Sequence, residues 1–318
     1  MKKTRTVWSL FLILAAVMVC SSAAIAYNQN PNLNYGHTNL LDAMLPPPGL
    51  YLSNYMIIYS TDEFKDSNGD NFPLNNEMDL VVYSPQFIWL AGNNLPGDLR
   101  WGIQALLPLY GYDVNSGLGL DSGGGIIGDL CVGPFVGKAV PLSDDFVFHW
   151  FAELDVYSPV GAYDKNYAIN PSANYWTIEP FVSMTLQMPH GLTFSTRQHL
   201  AFNTKNDEYV NPVVTGNLLD HELQPGKLWH FNYSVMKTVD FISPMLRVGV
   251  AGYYGHQLED DEVDGVAIPG TKEKIFAIGP AVHYIHKGTV FSLKTYFENG
   301  AENRPEGDMV VFRIIMPL

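Results

Sequence analysis

The sequence predicts an all-β fold: a single transmembrane antiparallel β-barrel of about 12 strands, with short periplasmic turns and long extracellular loops. After residue 26 the chain consists of segments of about ten or more residues in which apolar and polar side chains alternate. Short and long connections rich in Gly, Pro, Asn and Asp separate these segments in turn. No apolar run after residue 26 is long enough for a membrane-spanning helix.

The composition narrows the class of protein further. Of the 318 residues, 47% are hydrophobic and only 16% are charged, against roughly 25% charged residues in soluble domains. The net charge of −14 argues against nucleic acid as a partner. The apolar content excludes disorder, and two cysteines are too few for a disulfide-based scaffold.

Residues 1–26 have the pattern of a secretory signal peptide. Three basic residues within the first five positions precede the apolar run Val7–Val19, and Ala24-Ile25-Ala26 offers small residues for cleavage before Tyr27. Cys131 is then the one cysteine of the mature chain. We expect an exported protein of the outer membrane of a Gram-negative bacterium.

The remaining chain divides into an N-terminal periplasmic or plug segment, 27–48, and a barrel, 49–318. The predicted strands lie near 50–60, 78–91, 98–112, 126–140, 146–158, 174–188, 191–204, 226–238, 245–258, 273–286, 289–300 and 308–318. Five of the connections on one side, 61–77, 113–125, 159–173, 205–225 and 259–272, are long and acidic. An even number of strands returns both ends of the barrel to the periplasmic side.

The two faces of the strands favour a membrane barrel over a soluble β-sandwich. In the strand near 146–158, Phe and Trp side chains alternate with His149, Glu153 and Asp155. Charges of both signs on the inner face can pair across a lumen, whereas the second face of a sandwich meets water. The predicted lumen-lining residues are Tyr51, Tyr55, Arg100, Phe135, His149, Phe151, Glu153, Asp155, Glu179, Arg197, His199, Arg247, Tyr253, Lys294 and Arg313.

Three further features bear on the barrel. Prolines inside the predicted strands require bulges or kinks, because proline has no N–H to donate; they are Pro85, Pro108, Pro134, Pro180 and Pro280. The last strand, Met309–Leu318, is apolar at every second position, as a strand read by the barrel-assembly machinery would be. In the segment 27–48, Thr38 is a candidate cap of a short helix that would end before Pro46 and enter the lumen as a plug; a disordered leader is the alternative.

Several short motifs resemble the meta-pathway of phenol degradation family. They are Pro46-Pro47-Pro48-Gly49-Leu50-Tyr51, Asn54-Tyr55, Tyr59, Gly128-Asp129-Leu130, Val132-Gly133-Pro134 and Gly279-Pro280. The resemblance extends from about residue 40 to the end of the chain and depends on the order and spacing of the motifs. It implies an outer-membrane barrel with a transport role, in a family with some members encoded beside pathways that degrade aromatic compounds. It implies no catalytic residues.

Two acidic loops are candidate cation sites, and no cofactor is expected. Asp66, Asn68, Asp70 and Glu77 have the spacing of oxygen ligands in a calcium loop, although Asn71 stands where such a loop has glycine. A solvated surface loop is the favoured interpretation, because no helices flank these residues. The residues 259–264 carry five acids that could bridge divalent ions to lipopolysaccharide, or serve only solubility.

The sequence thus predicts a non-enzymatic channel for passive uptake of small hydrophobic or aromatic compounds. Its expected partners are outer-membrane lipid and lipopolysaccharide, the assembly machinery and a small hydrophobic solute. One alternative is a structural or partner-binding barrel without significant flux. The other is a lipid-modifying outer-membrane enzyme, which the spacing of Ser195 and His199 disfavours, since residues four apart in a strand lie about 13 Å apart.

Overall fold

The computed structural model describes residues 33–72, 75–117, 121–211 and 215–318. They form an all-β protein whose main element is a closed barrel. The strands are β1 (Gly49–Phe64), β2 (Asn76–Leu90), β3 (Arg100–Leu106), β4 (Leu109–Ser116), β5 (Leu130–Pro141), β6 (Val147–Ser158), β7 (Thr177–Gln187), β8 (Leu192–Asn203), β9 (Asn206–Tyr209), β10 (His221–Gln224), β11 (Leu228–Val239), β12 (Ser243–Gln257), β13 (Glu262–Val263), β14 (Val266–Ala267), β15 (Lys274–His286), β16 (Thr289–Glu302) and β17 (Pro305–Pro317).

The barrel has twelve strands, which confirms the predicted fold class. β3 and β4 both pair with β2 and together make one barrel strand, broken at Leu107 and Pro108. All neighbouring strands of the wall are antiparallel, in the order β1, β2, β3 with β4, β5, β6, β7, β8, β11, β12, β15, β16 and β17. The pairing of Tyr51 with Pro317 through that of Phe64 with Pro305 closes the wall between β1 and β17. Closure leaves no strand edge along this seam.

Apolar side chains cover the outer face of the strands. The exposed outward residues include Met56, Ile58, Val81, Phe87, Trp89, Ile103, Leu154, Ile178, Phe194, Val235, Val248, Val250, Phe276, Ile278, Val282, Leu293, Phe297 and Phe312. Between them, inward residues of the same strands are buried, so the burial pattern alternates along most strands. An apolar outside and a polar inside is the pattern of a transmembrane barrel. Among the described residues, no helix is long and apolar enough to cross a membrane.

The prolines predicted to lie inside strands sit at local interruptions of the hydrogen-bond ladder. Between β5 and β6 the pairing is missing at Gly133 and Pro134, and between β15 and β16 it is missing at Gly279 and Pro280. The same occurs at Pro180, between β7 and β8. On both sides of each interruption the register is the same, so the wall accommodates proline without a net shift of the strands.

The connections differ sharply between the two ends of the barrel. The periplasmic end has short turns, such as Lys287 and Gly288 between β15 and β16. At the extracellular end, β9, β10, β13 and β14 form a separate small sheet built from two long loops. Buried carboxylates fix these loops. Burial raises the pKa of Asp261 to about 6, while its Oδ1 accepts hydrogen bonds from Gly226 N (2.8 Å) and Gln257 Nε2 (2.7 Å).

Asp129, in the Gly-Asp-Leu motif, has a similar loop-holding role just before β5. Its carboxylate accepts hydrogen bonds from Ser172 Oγ (2.6 Å), Ala173 N (2.9 Å) and Gly161 N (3.1 Å). Burial raises the pKa of this carboxyl, and the three donors oppose that rise. The motif therefore ties the loop between β6 and β7 to the start of β5.

The predicted helix between residues 38 and 45 is wrong. These residues form bends and turns in the lumen, with hydrogen bonds from Met44 N to Leu41 O (3.0 Å) and from Leu45 N to Ala43 O (3.1 Å). The reason is that the barrel wall supplies partners for this backbone, so no regular helix is required. The predicted signal peptide, 1–26, and residues 27–32 lie outside the described residues.

Replacing Gly279 by alanine should destabilise the barrel. An added Cβ would lie 1.8 Å from the backbone oxygen of Thr295, so β15 and β16 would have to separate, at a cost of roughly 2 kcal/mol in the free energy of unfolding. Urea unfolding followed by tryptophan fluorescence measures this cost. Gly92→Ala is the matched control, because nothing lies within 4 Å of its added Cβ. Equal stability of the two variants would contradict the steric argument.

Candidate functional site

The N-terminal segment 33–48 occupies the barrel lumen. At the extracellular end, Leu33 is 4% exposed and packs with Ala201 and Leu228. At the periplasmic end, the carbonyl of Pro47 accepts a hydrogen bond from the Tyr51 hydroxyl (2.8 Å). The segment therefore runs along the lumen from the loop side to the mouth where β1 begins, and it sets the shape of any passage.

Polar side chains of β11 and β16 hold the upper half of the segment. The Lys294 ammonium donates to the carbonyls of Gly36 and His37 (both 2.5 Å), and the Tyr296 hydroxyl donates to Gly36 O (2.7 Å). Asn232 Oδ1 accepts from Gly36 N (2.8 Å), and its Nδ2 donates to Asn34 O (2.7 Å). Lys294 is 2% exposed, so these carbonyls rather than bulk water solvate its amino group.

Gly36 is required at the point where the segment is held most tightly. Its φ is +72°, in the region that favours glycine. An added Cβ would lie 2.7 Å from the ring of Tyr253 and 2.8 Å from that of Tyr296. A glycine here allows the backbone to lie directly against two tyrosine rings.

An ion pair holds the lower half of the segment to β8. Arg197 Nε and Nη2 donate to Oδ2 and Oδ1 of Asp42 at 2.6 and 2.9 Å, and Ser183 Oγ donates to Oδ2 at 2.6 Å. The guanidinium carbon lies 4.4 Å from the ring centroid of Phe181. Because the pair is bidentate and its two side chains are 10% and 4% exposed, it is a stronger interaction than a surface salt bridge.

The periplasmic end of the segment is held by its backbone carbonyls. Arg100 donates from Nη1 to Leu45 O (2.8 Å) and from Nη2 to Pro46 O. Higher up, Ala43 N donates to Thr185 Oγ1 (3.1 Å). The anchors of the segment are thus concentrated on β7, β8, β11 and β16, with Arg100 of β3 at the mouth.

The opposite half of the lumen contains a cavity of about 430 Å³. From the barrel wall it is lined by Tyr51, Tyr55, Ile88, Leu90, Leu106, Phe135 and Phe151, and from the segment by Leu41, Met44 and Leu45. Its wall also includes Arg197, Arg247 and Arg313. A second cavity of about 170 Å³ lies nearer the loops, against Tyr59, Tyr110 and Tyr112, and His37 borders both cavities.

Two carboxylates face the larger cavity from β6. Glu153 and Asp155 are 9% and 6% exposed, and Gln104 Nε2 donates to Asp155 Oδ1 (2.7 Å). Gly133 makes room for them, since an added Cβ would lie 2.1 Å from Asp155 Oδ1 and 2.4 Å from Glu153 Oε1. The glycine of the Gly-Pro motif on β5 therefore accommodates the acidic end of the cavity.

A third group of titratable side chains lies in the wall of β7, β8 and β11. One ligand atom each from Glu179, His199 and His230 lies within 4.8 Å of the other two, and all three side chains are buried. Among the described residues, this is the group of His, Cys, Asp and Glu whose geometry could hold a metal ion.

The structure places the predicted lumen residues as follows. The buried ones are Tyr51, Tyr55, Phe135, Phe151, Glu153, Asp155, Glu179, Arg197, His199, Tyr253 and Lys294. The partly buried ones are Arg100, His149, Arg247 and Arg313. Arg197 and Lys294 contact the segment directly, whereas His149 lies near the periplasmic end, 3.4 Å from Gln187 Oε1.

The predicted calcium loop is closed by its own backbone. Asp66 Oδ1 accepts hydrogen bonds from Asn68 N (2.8 Å) and Asp70 N (3.0 Å). Glu77 lies in β2, where it pairs with Asn115 of β4. The calcium site stays a prediction.

Sequence reasoning missed the segment's own polar residues and their partners. These residues are Asn34, Asn39, Asp42, Asn232, Ser234 and Tyr296. His230 of the buried cluster was missed as well. The sequence feature that could have indicated the segment's residues is the presence of Asn34, Asn39 and Asp42 among the apolar residues of this stretch. Their partners on the wall depend on strand register, which one sequence does not reveal.

The family model described as "Putative MetA-pathway of phenol degradation" matches residues 61–314. This match covers most of the chain. The chain belongs to this family. The sequence resemblance drawn from the proline-rich start, the Gly-Asp-Leu stretch and the Gly-Pro pairs is thereby confirmed. A search of curated proteins finds no match.

Among solved structures, the chain is similar to an outer membrane channel from Pseudomonas putida F1. The TM-score is 0.72 at 14% sequence identity, over 91% of this chain and 100% of that one. The KdgM porin (TM-score 0.40, 6% identity, 84% of this chain and 99% of that one) and the β domain of the Bordetella autotransporter BrkA (0.44, 11%, 85% and 99%) are more distant. At these identities the first likeness concerns the fold alone.

The candidate nucleophile and base considered for an enzyme do not contact each other. The Ser195 hydroxyl lies 2.9 Å from Thr185 Oγ1, whereas His199 Nδ1 is hydrogen-bonded to Glu179 Oε1. A serine nucleophile needs its base within hydrogen-bond reach.

Asp42→Asn should loosen the segment. The substitution leaves Arg197 buried without its counter-charge, and breaking a buried ion pair costs roughly 3–5 kcal/mol. Each 1.4 kcal/mol is tenfold in an equilibrium, so we expect at least a tenfold rise in open-state events in planar-bilayer recordings. Asp145→Asn, in an exposed periplasmic turn, is the control. An unchanged frequency of open-state events in D42N would show that the pair does not hold the segment.

Proposed function

We propose that this barrel is an outer-membrane channel for passive uptake of small hydrophobic or aromatic compounds. The observation that carries the proposal is the cavity of about 430 Å³ beside the N-terminal segment. Its volume falls within the roughly 300–1,000 Å³ range of small-molecule pockets. Aromatic side chains offer a ring-shaped solute both apolar contact and polar edges.

The aromatic and aliphatic side chains of the cavity wall support an aromatic cargo. On the side of β7, β8, β11 and β16, lumen hydroxyls, amides and charges are already bonded to the segment. The other side presents Leu90, Phe135 and Phe151 around the cavity. Glu153, Asp155 and Arg313 add polar groups to this wall, and a phenol-like solute with one polar substituent can contact them while its ring packs on the aromatic side chains.

The segment limits the rate of passage in this proposal. A solute that enters the larger cavity must move past His37, which borders both cavities. Displacement of the segment toward β7 and β8, or its partial release, widens this point. No energy source is required, because the solute moves down its own gradient.

Flux measurements test the proposal. Vesicles with lipopolysaccharide in the outer leaflet slow the spontaneous entry of hydrophobic solutes, so they are the appropriate host. We expect entry of toluene or phenol to exceed entry of a sugar of similar size, relative to vesicles without protein. Ile88→Asn, which makes the cavity wall polar, should lower aromatic flux severalfold, whereas Leu142→Asn, in an exposed turn, should leave it unchanged.

The other outcomes have definite meanings. Equal entry of both solutes indicates a general pore. Entry of neither, also after deletion of residues 27–45, indicates a structural or partner-binding barrel without significant flux. Turnover of lipid by the purified protein would support the enzymatic alternative.

A further inference from the structure

We propose that Glu179, His199 and His230 form a binding site for a divalent transition-metal ion, with Zn²⁺ as the best-matched ion. This site is distinct from the solute cavity and does not depend on the proposed function. Two imidazoles and one carboxylate are a ligand set that Zn²⁺ takes in proteins.

The three side chains come together because of strand register. His199 of β8 pairs directly with His230 of β11, and the neighbouring pair on the other side of β8 is Phe181 with His199. Glu179, two residues before Phe181, is therefore a diagonal neighbour of His199 on the same inner face. His199 Nδ1 is hydrogen-bonded to Glu179 Oε1, and His230 Nε2 lies 3.5 Å from that oxygen.

The cluster is fully buried, and several of its polar atoms lack a hydrogen-bond partner. The side chains of all three residues are 0% exposed. Glu179 Oε2, His199 Nε2 and both ring nitrogens of His230 have no hydrogen-bond partner. Buried polar atoms are nearly always bonded, because an unmet donor or acceptor costs free energy. A cation at this point would satisfy the carboxylate and two imidazole nitrogens at once.

Metal binding requires a change in the orientation of the two histidine rings. The His199 and His230 rings are stacked, with centroids 4.2 Å apart and planes 11° apart. Parallel rings cannot direct both lone pairs at one ion, so one ring must turn. His230 can do so without losing a well-formed hydrogen bond, since its Nε2 lies 3.5 Å from Glu179 Oε1 and its Nδ1 has no partner. Tyr35 of the N-terminal segment lies against His230, with centroids 5.0 Å apart, and closes the cluster from the lumen.

The location suggests what the ion would do. The ladder between β7 and β8 is interrupted at Glu179 and Pro180. A metal bound by β7, β8 and β11 would join three strands across this interruption. The ion would therefore act as a structural cross-link of the wall, and it would have no role in moving solute.

The test uses the folded full-length protein, stripped with a chelator and titrated with Zn²⁺ alone. Elemental analysis after gel filtration should give one zinc ion per chain, and Co²⁺ should produce the visible absorption of a site with nitrogen and oxygen ligands. His230→Gln should weaken binding by about a hundredfold or more, since even outer-shell partners of a metal contribute 10–100-fold.

His283→Gln is the matched control, because His283 is also inward-facing and 6% exposed but lies on β15. It should bind zinc as the wild type does. Absence of zinc and cobalt binding in the wild type would overturn the proposal. Equal loss in the two variants would also overturn it. If H230Q does not show the heat-dependent gel mobility of a folded barrel, His199→Gln replaces it, and the wild-type stoichiometry stands as a test by itself.

Discussion

The structure depends on satisfying the backbone of an irregular segment inside a closed barrel. The backbone groups of the wall pair with those of neighbouring strands, but the segment 33–48 has no regular structure. Its N–H and C=O groups must therefore bond to side chains of the wall. Lys294, Asn232 and Tyr296 provide those bonds in the upper half, and Arg100 provides them at the mouth.

This requirement divides the lumen into two unlike halves. The strands that hold the segment carry buried Asn, Ser, Thr, Lys and Arg side chains, whose polar atoms are committed to it. The strands opposite present aromatic and aliphatic side chains together with the charged Glu153, Asp155 and Arg313, and the larger cavity forms there. The proposed hydrophobic passage is thus a consequence of how the segment is anchored.

Much of the fold was predictable from the sequence because each strand repeats the same signal. Alternating apolar residues gave the strand count, and the prolines indicated interruptions that the structure places at Pro134, Pro180 and Pro280. The path of the segment was less predictable. Thr38 and Pro46 favoured a helix. A local sequence pattern does not show that the carbonyls of Gly36 and His37 accept hydrogen bonds from Lys294 of the wall.

For the candidate site, the sequence predicted which side chains face the lumen but not which of them contact each other. Period-two alternation placed Glu179 and His199 on the inner face, but the contact between them and His230 depends on the register of β7, β8 and β11. Register is set by turns and by packing across strands, and one sequence does not contain that information in readable form. The pairing of Asp42 with Arg197, 155 positions apart, was hidden for the same reason.

Disulfide formation between the segment and β7 measures whether the segment is anchored in the lumen. Ala43→Cys and Thr185→Cys, combined with Cys131→Ser, introduce two thiols on residues that are now in contact, with Ala43 N 3.1 Å from Thr185 Oγ1. Mild oxidation of the folded protein should form a disulfide, seen as a mobility change on a non-reducing gel. The pair Ala43→Cys with Ser292→Cys, whose second thiol lies on β16, should remain reduced. No disulfide in the first pair, with free reaction of residue 43 with a water-soluble maleimide, would contradict the account.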